Sequence, residues 1–98
     1  MKRITVPLFK QRIHFTSDPD EAIEWVRKNS VDLKTGEYEG FAVQSGGNIY
    51  IYAPTVPILA HEAHHAAHMI LDHIGDESRD EEVVSYLIEF IVEKCGVG

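Results

Sequence analysis

Residues 58–74 constrain this chain most, because at 100° per residue they read as one helix with two dissimilar faces. Leu59, Ala63, Ala66, Ala67, Ile70 and Ile74 form a continuous apolar face. His61, His65, His68 and Asp72 form a stripe on the opposite side. The core-facing side is therefore assigned without using any histidine. Pro57 suits the first turn, where its missing N–H costs nothing, and Gly75 suits the C-terminal stop.

The stripe contains His61-Glu62-Ala63-His64-His65, an HExxH run. On a helix His61 and His65 sit one turn apart, so two imidazoles converge on one metal ion. Glu62, about 100° around the axis, reaches a water held by that metal. This is the arrangement a zinc hydrolase needs to make a nucleophile from water. The expected cofactor is Zn2+. Glu62 acts as general base and then as general acid towards the leaving amine. A further hydrogen-bond donor would stabilise the oxyanion, and Tyr86 and His68 are the candidates.

A catalytic zinc normally has three protein ligands and one open position. Asp72 shares the stripe but lies about 10 Å along the axis beyond His65. His68 would have to bend back a full turn, which makes it a weaker ligand candidate than a supporting or solvated histidine. His64 and His73 lie off the stripe and read as surface residues. The last helix offers Asp80, Glu81, Glu82 and Glu89. Ser78-Arg79-Asp80-Glu81 matches a capping box, in which the Glu81 carboxylate is already used. Asp80 suits the helix dipole. Glu82, with Tyr86 four residues on, is favoured as the third metal ligand, and Glu81 comes next.

The remaining chain supplies a scaffold. Arg3 to Leu8 and Gln11 to Thr16 read as short strands, the first ending near Pro7 at a sheet edge. Ser17-Asp18-Pro19-Asp20-Glu21 starts a helix whose apolar side is Ala22, Ile23, Trp25 and Val26, ending near Asn29-Ser30. Asp32 to Gly40 is polar and rich in turn formers. Phe41 to Gln44, Ser45-Gly46-Gly47 and Asn48 to Ala53 read as a β-hairpin, with Ile49 and Ile51 pointing one way and Tyr50 and Tyr52 the other. The helix of residues 57–74 follows, then a polar loop, then a helix to about Lys94. The expected order is β-β-α-β-β-α-α. If the Asn48–Ala53 strand is a sheet edge, its backbone pairs with an extended peptide; if it is interior, it already has two neighbours. Trp25 and Phe41 read as core rather than substrate pocket.

Ninety-eight residues fit a single domain, 1–98, with room for one core. The net charge of −7 argues against a nucleic-acid binder, which needs a basic face. Cys95 is the only cysteine, so no internal disulfide forms; near a fraying terminus it reads as an inert thiol. No apolar run is long enough for a bilayer, and the start lacks the apolar stretch of a signal peptide. A cytoplasmic protein without membrane contact is the expectation.

His61-Glu62-x-x-His65 followed by a glutamate on the next helix resembles the gluzincin arm of the zincin metallopeptidases. Glu82-Val83-Val84-Ser85-Tyr86-Leu87 resembles the Glu-x-x-x-aromatic helix of small phage-encoded and ImmA/IrrE-like zinc peptidases. The resemblance covers roughly residues 41 to 92 and carries the third-ligand role onto Glu82. It implies a small α+β zincin-like domain: a short antiparallel or mixed sheet packed on an HExxH helix and a C-terminal glutamate helix. The metzincin pattern does not fit, since it would put glycine where His68 stands and a ligand where Leu71 stands. The large second lobe of bigger gluzincins is missing, so the cleft must be shallow or completed by a partner.

The first reading is therefore a zinc metallopeptidase acting on a peptide or protein substrate. The second is a zincin-like metal-binding module, regulatory or interacting and of phage origin, without turnover. A third, an acidic histidine-rich metal buffer, explains one defined motif less well.

Overall fold

A computed structural model describes residues 1–7, 10–29, 39–73, 75 and 80–96. The elements are β1 (Lys2–Thr5), β2 (Arg12–Thr16), α1 (Pro19–Lys28), β3 (Phe41–Ser45), β4 (Asn48–Tyr52), α2 (Val56–His73) and α3 (Glu81–Gly96). This is the expected element order. They build a four-stranded mixed sheet, β1-β2-β4-β3, in which β2 and β4 are parallel and the outer pairs antiparallel. The small α+β fold read from the sequence is present.

The sheet is covered on both faces. Ile13, Phe15, Ile49 and Ile51 point to one side and pack with Leu59, Ala63, Ala66, Ala67, Ile70 and Leu71 of α2 and Leu87, Ile91 and Cys95 of α3. Phe41 and Tyr52 point to the other side, with Ala22 of α1 and the half-buried Trp25 and Val26. Period-two alternation along β4 produces this split, since Ile and Tyr leave opposite faces of one strand. Each fully buried isoleucine contributes about 1.5–3 kcal/mol. Ala63, Ala66 and Ala67 are fully buried, so small side chains let α2 lie close to the sheet.

β4 lies between β2 and β3, so the interior alternative holds and β4 has no edge to offer a peptide. Among the described residues the edges are β1 and β3. The β3–β4 hairpin turns at Gly46-Gly47, with φ of +60° at Gly46. A positive φ at the first central position is the type II′ pattern, which glycine adopts without steric cost.

Several local readings change. β1 ends at Thr5 rather than running to Leu8; the Val6 N–H already bonds the Gln11 carbonyl at 2.8 Å and closes the turn. Leu8 lies outside the described residues, as do Ser30, Asp32, Ile74, Ser78 and Arg79. In α1, Asp18 is the cap, accepting from the Asp20 N–H at 3.0 Å, with Pro19 first in the helix. Ile23 is 53% exposed and does not join the apolar side, because α1 contacts the sheet through Ala22, Trp25 and Val26. α3 is capped by Asp80, whose Oδ1 accepts from the Glu82 and Val83 N–H groups at 2.9 and 3.3 Å. Glu81 is thus the first helical residue, not the third, and the proposed use of its carboxylate in a capping box falls away.

Candidate metal and hydrolytic site

α2 positions the histidines through its own periodicity. The Nε2 atoms of His61 and His65 are 3.2 Å apart, with ring centroids 4.8 Å apart and planes at 79°. As neutral imidazoles, one donates to the other. The spacing also suits a shared ion: Zn–N bonds of about 2.0–2.1 Å to both atoms would meet at about 100–105°, close to tetrahedral. Both histidines are exposed, so the coordination sphere would open to solvent. Thr55 holds the N-terminal end of this helix, its carbonyl accepting from the Leu59 N–H at 2.9 Å.

Glu62 differs from its neighbours in being buried, at 8% exposure. Its carboxylate lies beside Gly40, at the start of β3: a Cβ added at Gly40 would stand 3.6 Å from Glu62 Oε2 and collide with Ile58 Cγ2. Glycine therefore lets the chain leading into β3 approach α2 at the level of Glu62. Glu39, Gly40, Pro57, Ile58, His61 and Glu62 line a recess of about 290 Å³. Sequence reasoning missed Glu39 and Gly40. The available signal was a glycine immediately before an apolar strand run, a common mark of close backbone approach.

The other candidates lie apart from this recess. Glu81, Glu82, Ser85, Tyr86 and Glu89 line a second, open recess on α3. The two recesses share no residue. α3 returns antiparallel to α2, and its last residue, Gly96, is beside Leu59. Glu82 lies about 20 Å of helix axis before that contact. Tyr86 is 44% exposed rather than a core aromatic, with its ring 6.4 Å from that of Phe90. His68 is half-buried and its ring lies 4.7 Å from that of His64; His64 and His73 are exposed, in keeping with their surface assignment. Among the described residues, no three His, Cys, Asp or Glu side chains are grouped closely enough to hold one ion. The histidine pair thus fits two positions of a zinc site, and a third donor has to approach it.

Cys95 is 4% exposed, packed in the core rather than frayed, and burial pushes its thiol up to about 11. A thiol so protonated at neutral pH is a poor nucleophile. Trp25 stacks against Phe41 at 6.0 Å and lies tilted against Tyr50 at 4.3 Å, which makes it part of the α1 layer. No helix among the described residues is long and apolar enough to cross a membrane.

In comparison with known proteins, no family model, no curated protein and no solved structure matches this chain.

Proposed function

We propose that this chain is a zinc-dependent hydrolase of peptide bonds, built as a minimal zincin-like domain. The observation that carries the reading is a buried carboxylate, Glu62, next to a pair of imidazole nitrogens 3.2 Å apart. His61 and His65 would hold the ion, and Glu82 is the proposed third donor, which requires α3 to move towards the pair, because its first turn lies about 12 Å of helix axis beyond His65. Zinc so held supplies Lewis acidity, polarising a carbonyl and acidifying water. Glu62 takes the proton released by the attacking water and returns it to the leaving amine. Its place in the same recess as His61 supports this role. Tyr86 and His68 are the proposed donors to the developing oxyanion.

Substrate presentation falls to β3 rather than β4. β3 is an edge strand, and the recess holding His61 and Glu62 opens where β3 begins. An extended peptide hydrogen-bonded along that edge would run past Glu62.

Metal analysis of the purified protein, joined to a cleavage screen against folded and unfolded proteins, tests the reading. One zinc per chain with cleavage lost in Glu62→Gln supports it. Glu82→Ala should lower zinc affinity, and unchanged affinity would move the third-ligand role elsewhere. Zinc bound with no turnover on any substrate would favour the metal-binding module instead. No zinc bound at all would overturn both.

A further inference from the structure

We propose that His64 and His68 form a second divalent-metal site, separate from the His61–His65 pair. The motif that drew attention to α2 uses two of its histidines; the same helix repeats the arrangement three residues later. The His64 and His68 rings are 4.7 Å apart with planes at 67°, against 4.8 Å and 79° for His61 and His65. The first pair, at that ring spacing, has its Nε2 atoms at a chelating separation. A three-residue offset turns the second pair by about 60° around the helix and moves it about 4.5 Å along the axis. That sets the second pair apart from the position of the first ion. His64 and His65 bring the two pairs into contact, with ring centroids 6.1 Å apart.

The surroundings favour a cation. His64 is exposed and His68 half-buried, so an ion reaches the pair from solvent and completes its coordination with water. Asp and Glu outnumber Lys and Arg by 16 to 9 in the chain, and the resulting field concentrates cations near the surface. Two imidazoles make this a weaker and more exchangeable site than one with three protein donors. Among first-row divalent ions Cu2+ is held most tightly by such nitrogen donors. The site shares no metal ligand with the hydrolase reading, but it takes His68 from the oxyanion role, so an ion bound here would compete with that role.

The test is a Cu2+ titration of the full chain stripped with a chelator, followed by calorimetry and by thermal unfolding. His64→Ala/His68→Ala should bind one equivalent fewer than the wild type and lose part of the Cu2+-induced rise in Tm. Alanine is the strongest helix former, so α2 itself is not weakened. His64→Gln/His68→Gln should show the same deficit and decides the matter if the alanine pair folds poorly. His61→Ala/His65→Ala should keep the second equivalent, whatever becomes of the hydrolase reading. Equal stoichiometry in the wild type and both His64/His68 variants overturns the proposal. Loss of all binding in His61→Ala/His65→Ala also overturns it, because the second pair would then hold nothing by itself.

Discussion

Glu62 and Glu82 are the same side chain on neighbouring helices, yet their surroundings make them different chemical groups. Glu62 is 8% exposed and lies against the Gly40 backbone, beside His61 in one recess. Glu82 is exposed in the first turn of α3, among Glu81, Ser85, Tyr86 and Glu89. The first carboxylate is fixed by packing on several sides. The second is solvated and favoured mainly by the positive end of its helix. The chemistry open to each carboxylate is therefore set by what packs around it.

That contrast can be broken most directly at Glu62. Glu62→Gln should lower peptide hydrolysis by roughly 10²–10⁴-fold with metal content unchanged; survival of activity would remove Glu62 from the chemistry. The next largest effect is expected at Gly40. Gly40→Ala forces a methyl group into Ile58 and tight against the Tyr52 carbonyl, so urea denaturation should show a loss of about 1–3 kcal/mol. Wild-type stability there would mean that Ile58 yields to the methyl group, so that α2 packs loosely against the start of β3. On α3 the expected cost is smaller: Asp80→Ala removes the cap and should cost about 1 kcal/mol, read by the same denaturation.

A buried polar group without support sharpens the comparison from the other side. Gln11 is 1% exposed, and neither its Oε1 nor its Nε2 has a hydrogen-bond partner among the described residues. Gln11→Leu should therefore be neutral or raise stability by about 1 kcal/mol, and a clear loss would reveal a partner for that amide. The smallest effect is expected at Cys95. Its thiol ionises near 9 when unfolded and near 11 in the fold. Folding thus keeps it protonated: the contribution is complete below pH 9 and disappears as pH rises through 11. Cys95→Ala should flatten that alkaline decline in a pH series of Tm values.

Much of the scaffold was legible locally. Asp18-Pro19 starts α1, Gly46-Gly47 turns the hairpin, and the Ile/Tyr alternation in β4 sends side chains to two faces. These are short-range matters of dihedral preference and periodicity. Errors arose where a local signal had competitors. Ser78 and Asp80 both qualify as caps for α3, and Asp80 holds the Glu82 and Val83 amides. Ile23 looked like part of an apolar face, but the direction from which α1 meets the sheet leaves it exposed.

By itself the sequence determined that His61 and His65 converge, because a helix repeats every 3.6 residues and a four-residue spacing returns to the same face. It also determined which side of α2 meets the core. Only the tertiary structure decided that β4 is interior, that β3 is the edge beside α2, and that Glu62 is buried against Gly40. Strand order and cross-element contacts join residues far apart in the chain, and local preference carries no information about which of those partners meet.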